Sequence, residues 1–353
     1  MRILITGGAG FVGSNLARLF KTQTPSAEII VLDNLRRRGS EINLPMLKTR
    51  GIAFHHGDIR QPSDLDDLPG NFDLLIEASA EPSVHAGLDG SPQYVLQTNL
   101  LGTLNCLEFA RRRAQTLVFL STSRVYSIEA LRGLDLVEAP TRFELAEQAQ
   151  SGSSTRGVAE NFSTQTARSF YGATKLASEM MIQEYAHSYG LRAVINRCGV
   201  ICGPGQFGKL DQGVFTLWVA AHLWNKSLRY TGFGGEGKQV RDLLHPEDLF
   251  TLLVKQIENS SAPSAEIYNV GGGVANSVSL QELTALCRKV TNNEIEIGSD
   301  ITTATFDVPL YISDNAKVSQ RFDWAPQRSV ESIVENIACW LRENETQLRP
   351  LFM

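Results

Sequence analysis

Short apolar runs alternate with stretches of helical period from the first residues of the chain. Arg2 to Thr6 reads as a buried strand, and Phe11 to Phe20 repeats apolar positions at helical spacing. Further strands are predicted over Glu28 to Leu32, Ile52 to His56, Leu74 to Ala78, Thr116 to Ser121 and Val194 to Asn196, with helices over Tyr94 to Arg113 and Gly172 to Tyr189. This βα rhythm predicts an α/β protein, a Rossmann-type doubly wound parallel sheet. After residue 196 the pattern is mixed. A loop from Gly203 to Gly213 precedes a helix from Val214 to Trp224, a short strand from Leu228 to Tyr230 and a turn over Gly232 to Gly235. Helices follow over Leu280 to Val290 and Val330 to Arg342. These pieces predict a smaller α/β substrate-binding lobe. The expected first domain is 1–195 with a return segment at about 237–265, and the expected second lobe is 196–236 with 266–353.

One segment breaks the rhythm. Ser127 to Phe170 is polar, with Gln150-Ser151-Gly152-Ser153-Ser154 at its centre. So long an excursion in a compact domain is either functional or peripheral. It ends at a tyrosine motif, which favours a place near the reacting centre.

Composition narrows the class. In 353 residues, 42% are hydrophobic and 20% charged, the balance of a soluble globular protein. A net charge of −5 argues against nucleic acid as the main partner. The run Arg111-Arg112-Arg113 reads as a solvated helix end, where cations suit the dipole. The apolar stretch Gly213 to Trp224 is too short to span a bilayer, so no membrane partner is expected. A strand pattern starting at Arg2 is expected to leave no room for a signal peptide, which points to the cytoplasm. Cys106, Cys198, Cys202, Cys287 and Cys339 lack metal-type spacing, so reduced thiols and no metal are expected.

Two motifs carry chemistry. Gly7-Gly8-Ala9-Gly10-Phe11-Val12-Gly13 follows a strand and opens a helix. Gly7 and Gly10 permit a tight turn and close approach of a pyrophosphate to the helix N-terminus at Phe11 and Val12, and Gly13 lets helix and strand pack closely. Asp33 ends the second strand, where a carboxylate bonds adenosine ribose hydroxyls and repels a 2′-phosphate. NAD is therefore the expected cofactor, although Arg36, Arg37 and Arg38 could neutralise such a phosphate. Asp58 and Ile59 end the third strand, at an expected adenine pocket; Asp58 could equally cap a turn. In the second motif, Tyr171 stands four residues before Lys175, on one face of a helix. The ammonium can lower the phenol pKa and make it a base near neutral pH.

These features resemble the extended short-chain dehydrogenase/reductase family, specifically its nucleotide-sugar epimerases and dehydratases, over essentially the whole chain. In Leu120-Ser121-Thr122-Ser123-Arg124-Val125-Tyr126 the family's catalytic hydroxyl position is Thr122, which could otherwise cap the strand end. The resemblance implies catalytic Thr122, Tyr171 and Lys175. Asn34 and Asn99 join the cofactor-binding positions, Asn99 in a structural or water-binding role, and Tyr171 and Lys175 count there too. The 4,6-dehydratases carry Asp and Glu after the hydroxyl residue. Here Ser123 and Arg124 stand there, so an epimerase is what remains. Asn196-Arg197-Cys198-Gly199-Val200, Gly203 to Gly208, Asp211-Gln212-Gly213, Gly232 to Gly235 and Lys238 to Asp242 are similar to the CDP-paratose 2-epimerase (CDP-tyvelose epimerase) subgroup. That implies 2-epimerisation of a nucleotide-linked deoxysugar. Asn196 and Arg241 are then expected at the nucleotide or its diphosphate, Arg241 alternatively in a surface ion pair. Gln206 and Asp307 are candidates for sugar or ribose contacts. His85 and His245 are read as structural. A 4-epimerase on a UDP- or GDP-sugar would use the same three catalytic residues, and a non-catalytic NAD-binding regulator is the reading from another class. A dimer or tetramer through the helices of Tyr94 to Arg113 and Gly172 to Tyr189 is expected, unless those helices are buried within one chain.

Overall fold

All six apolar runs predicted as strands before residue 200 enter one seven-stranded sheet. The computed structural model describes residues 1–88, 90–147, 151–208, 213–259 and 263–352. Gln150 and the Asp211-Gln212 pair lie outside the described residues. The strands are β1 (Arg2–Thr6), β2 (Glu28–Asp33), β3 (Ala53–His56), β4 (Phe72–Glu77), β5 (Ala114–Thr122), β6 (Arg192–Cys198) and β7 (Ser264–Val270). Their order is β7-β6-β5-β4-β1-β2-β3. β1 pairs in parallel with both β2 and β4, so the strand order reverses at β1, where doubly wound sheets bind dinucleotides. The fold is the Rossmann-type α/β fold that the rhythm predicted.

Helix α1 (Phe11–Gln23) buries Leu16, Ala17 and Phe20, and the Phe20 ring meets Phe250 edge-on at 4.8 Å. Helix α2 (Gly102–Arg113) is preceded by a short helical turn, Gln93–Leu96, and a π-helical turn, Gln97–Leu101. Helix α3 (Ser169–Tyr189) carries the tyrosine motif. Leu4, Leu75, Leu117 and Phe119 of the sheet share one apolar core with Leu107 and Phe109 of α2 and Ile182 of α3. Alternate residues of a strand face the same side. On this face Thr6 of β1, Glu77 of β4 and Phe119 of β5 stand side by side in register.

The chain divides into two units: residues 1–125, 169–197 and 249–268, and residues 126–168, 198–248 and 269–353. These bounds differ from the sequence-based ones at two places. Residues 126–168 group with the second unit, because strand-like backbone bonds tie them there. Val158 donates to the Ile312 carbonyl at 2.8 Å and accepts from Asp314 at 2.9 Å. The chain returns to the first unit at 249 instead of about 237, because Val240–Leu244 pairs with Val200–Ile201, Ser277–Ser279 and Leu310–Tyr311 in the second unit's own sheet. In that unit the helices Val214–Leu223, Leu280–Thr291 and Val330–Glu343 pack on one another. Ser279 and Glu282 form a reciprocal cap at the start of the second of these.

One buried ion pair fixes α3 to the sheet. Glu179 of α3 is 1% exposed and meets the Arg197 guanidinium of β6 through Nη2 at 2.7 Å and Nε at 3.1 Å, while Ser121 of β5 donates to the same carboxylate. Breaking such a pair strands a charge out of water. Glu179→Ala is expected to cost about 3–5 kcal/mol in urea unfolding. The double replacement Glu179→Leu with Arg197→Met should recover most of that loss. A Glu179→Ala protein as stable as wild type would show that the pair does not hold the helix.

Candidate active site

The glycine loop is shaped by what it must exclude. Gly7 has φ +65°, and a Cβ there would lie 2.7 Å from the Ala78 carbonyl oxygen. A Cβ on Gly13 would lie 2.3 Å from the Gly7 oxygen, so loop and helix touch backbone to backbone. Gly8, absent from the sequence-based site residues, is equally confined: its Cβ would lie 2.3 Å from Val31. Gly10 stands at the N-cap of α1 with extended backbone, and no described side chain caps the helix. The first amides of α1, at Phe11 and Val12, therefore meet an anion site without competition. Asp33 accepts from the Ala9 amide at 3.1 Å and the Leu35 amide at 2.8 Å, which turns its carboxylate toward the loop. Burial pushes its pKa up, opposed by these amides. The cradle fits a dinucleotide pyrophosphate with its ribose beside Asp33.

At the end of β3, Asp58 is both a turn anchor and an ion-pair partner. It accepts from Asn34 Nδ2 at 2.8 Å and from Arg60 Nη2 at 2.6 Å. Burial works against the carboxylate, but the Arg60 and Asn34 bonds outweigh it and bring its pKa down to about 2. Ile59 is buried beside it. The Arg36 and Arg60 guanidinium groups lie over the Tyr94 ring, at 4.1 and 5.1 Å. Of the three arginines that could have neutralised a 2′-phosphate, Arg36 is thus stacked on an aromatic face. Asn99 sits in the π-helical turn, fully buried. Its side chain accepts from the Glu81 amide at 2.7 Å and donates to the Glu81 carbonyl at 3.0 Å. Both ends of the amide pin the loop after β4, in keeping with a structural role.

The residues expected to be catalytic lie on β5 and α3. Thr122 is 7% exposed and its Oγ1 accepts from the Arg124 amide at 3.2 Å, a local turn that leaves its hydrogen to donate. The neighbouring Ser121 is committed to Glu179. Lys175 is 2% exposed, donates to the Leu120 carbonyl at 2.9 Å and holds its ammonium 4.3 Å from the Phe119 ring centre. Tyr171, partly exposed, lies one helical turn before it. α3 starts at Ser169, whose φ of +82° is rare for a residue with a Cβ and whose Oγ accepts from the Gly172 amide at 3.2 Å. A cap strained in this way, two residues before Tyr171, carries no sequence signal beyond being a serine. This constellation can hold a phenol next to a permanent cation and a hydroxyl donor.

The expected substrate residues are rearranged. Asn196 is fully buried and exchanges hydrogen bonds with the Gln256 amide at 2.9 and 2.8 Å. It braces β6 against the helix Pro246–Glu258. Gln206 donates to the Ile201 carbonyl at 2.9 Å and accepts from Thr216 at 2.7 Å, which braces the loop. Arg241 and Asp307 come together: Nη2 meets Oδ1 at 2.8 Å and the Val308 carbonyl at 2.8 Å. Arg241 is thus oriented by Asp307, with the guanidinium fork mostly buried. The insert 126–168 is held inside the second unit by Tyr126 and Asn269. The Tyr126 hydroxyl donates to Asn269 Oδ1 at 2.6 Å, and Asn269 Nδ2 to the Val158 carbonyl at 2.7 Å. Among the described residues, no helix is long and apolar enough to cross a membrane.

Comparison with known proteins agrees with this geometry. Residues 3–271 match the model of the NAD dependent epimerase/dehydratase family. The CDP-paratose 2-epimerase of Salmonella typhi is 32% identical, over 96% of this chain and 99% of that one. A dTDP-glucose 4,6-dehydratase of Mycobacterium tuberculosis is 27% identical, over 99% of this chain and 96% of that one. Among solved structures, a UDP-glucuronic acid 4-epimerase from Bacillus cereus, in complex with UDP-glucuronic acid and NAD, shares the fold. Its TM-score is 0.78 at 21% identity, covering 97% of this chain and 99% of that chain. The chain is an NAD-dependent enzyme and belongs to the NAD dependent epimerase/dehydratase family, among the extended short-chain dehydrogenases/reductases.

Proposed function

We propose that this enzyme epimerises C2 of a CDP-linked deoxysugar, of the CDP-paratose to CDP-tyvelose type, by transient oxidation and re-reduction. The observation that carries the reading is the pair Ser123 and Arg124 after Thr122. Elimination of water needs an acid and a base beside the catalytic hydroxyl, and neither residue supplies them. Oxidation followed by reduction needs only a proton acceptor and a hydroxyl donor. The 32% identity to a CDP-paratose 2-epimerase supports the choice of substrate.

Bound NAD would supply the hydride acceptor for oxidation of the sugar carbon and the hydride donor for its re-reduction. Gly7, Gly10, Phe11, Val12 and Gly13 would hold its pyrophosphate, Asp33 and Asn34 its adenosine ribose, and Asp58 and Ile59 its adenine edge. Tyr171 removes the proton from the C2 hydroxyl and gives it back after the sugar has turned. Lys175 keeps the phenol acidic enough for that exchange. Thr122 donates to the oxygen on which charge changes. Arg241, aimed by Asp307, grips the diphosphate so that only the sugar moves.

Replacing Tyr171 by Phe keeps the ring and removes the proton acceptor. The expected loss in kcat is about 100-fold or more, with NAD still bound; near-normal turnover would place the base elsewhere. Purified enzyme is expected to release NAD on denaturation and to need none added, because the cofactor is restored in each cycle. Steady conversion of added NAD to its reduced form during turnover would instead mark a dehydrogenase. On a panel of nucleotide sugars, interconversion should be fastest with CDP-paratose, and no 4-keto-6-deoxy product should form. Faster turnover at C4 of a UDP-sugar would move the substrate assignment, and a 4-keto-6-deoxy product would make the enzyme a dehydratase.

A further inference from the structure

Glu77 is the last residue of β4 and is fully buried. In register it stands between Thr6 of β1 and Phe119 of β5. It lies on the sheet face covered by α2 and α3, beside the ring over which the Lys175 ammonium rests. One carboxyl oxygen, Oε1, is 2.6 Å from Thr103 Oγ1 of α2. The other, Oε2, has no hydrogen-bond partner among the described residues, and neither has Thr6 Oγ1 on the adjacent strand. A carboxyl placed this way is stable only while neutral or while a nearby cation balances it.

The Thr103 hydroxyl gives the pair two states. It lies 2.8 Å from the Asn99 carbonyl as well as 2.6 Å from Glu77, yet it has one hydrogen. With that hydrogen on the Asn99 carbonyl, the short contact to Glu77 requires a hydrogen on the carboxyl. With Glu77 ionised, the hydroxyl turns to it, and the Asn99 carbonyl keeps the Ser178 hydroxyl of α3 at 3.0 Å, whose one hydrogen it shares with the Thr174 carbonyl at 3.0 Å. The Thr103 hydroxyl has an acceptor in both states, while Oε2 has no hydrogen-bond partner among the described residues in either. Burial pushes the Glu77 pKa up to about 7, against the pull of Lys175 and the Thr103 bond. The titratable groups facing it are Lys175 from α3 and the Cys106 thiol from α2, whose pKa burial and then Glu77 push up.

We infer that Glu77 is a positioning residue whose protonation sets how strongly Lys175 acidifies Tyr171. This rests on Tyr171 and Lys175 being the base and its tuning cation. With Glu77 neutral, the ammonium acts on the phenol alone. Once Glu77 ionises, its negative charge offsets the ammonium and raises the phenol pKa. The base is therefore strongest in proton affinity when Glu77 is charged and most readily ionised when Glu77 is neutral.

The test is tyrosinate absorbance of the NAD-loaded full-length enzyme against pH, with Tyr171→Phe subtracted as baseline. Wild type is expected to ionise Tyr171 over a broadened curve. Glu77→Gln should give a single-site curve with its midpoint lower by about one unit, the scale of a coupled pair. Superimposable curves for the two proteins would overturn the inference while leaving Tyr171 as the base. Absence of any Tyr171-dependent signal would overturn both. Infrared spectra decide the matter if Glu77→Gln fails to fold. Wild type should show a buried protonated-carboxyl band that fades as pH rises through about 7. In Thr103→Val that band should persist to higher pH, because the ionised form has lost its hydrogen bond. A wild type without the band, or one that Thr103→Val leaves unmoved, would overturn the assignment.

Discussion

The site depends on keeping one lysine charged while it is out of water. Lys175 is 2% exposed, and desolvation alone would drive its proton off. A backbone carbonyl at 2.9 Å and an aromatic face at 4.3 Å, both from consecutive residues of β5, supply what water no longer does. That contact survives only if α3 cannot slide along the strand. Glu179, one turn further on the same face of α3, locks it through Arg197 and Ser121. Ser169 fixes where the helix starts. The positions of Tyr171 and Thr122 follow from these anchors.

Much of this could be read from the residues, and for a physical reason. Strands buried on both faces are continuous apolar runs, which makes β1, β2, β4, β5 and β6 legible; β3, an edge strand with no buried residue, is read only from the rhythm around it. The glycine loop is legible because no other residue fits contacts of 2.3–2.7 Å to backbone. Less visible were groups whose role depends on a distant partner. Glu77 is one acidic residue at the end of an apolar run, and its meaning lies in α2 and α3, the latter about a hundred residues away in sequence. Arg197 was read only as part of a motif, although its partner Glu179 lies on the tyrosine helix. Asn196 and Gln206 carry polar amides that suit a ligand as well as a brace. Only geometry shows that both ends of each amide are already used.

The two units differ in how closely they can be read. In the first, backbone clearances suit a dinucleotide, and a buried cation one turn from Tyr171 supports the proposed base. In the second, the 126–168 insert is stitched to Asn269 and to residues 312–314, and Arg241 is aimed by Asp307. An oriented guanidinium recognises a diphosphate in any nucleotide sugar, so base and sugar choice rest on other contacts. Family members of different activity share the fold across nearly the full chain, which is the expected result when reaction type turns on one or two residues after Thr122.

The central claim is that one hydride leaves C2 and the same hydride returns. Its most direct test is the proposed CDP-linked substrate labelled with deuterium at C2, incubated in ordinary water with the purified enzyme and followed by proton NMR. The account predicts an epimerised product that keeps deuterium at C2. Loss of the label to solvent during epimerisation would show proton abstraction from carbon and would contradict the oxidation and re-reduction mechanism.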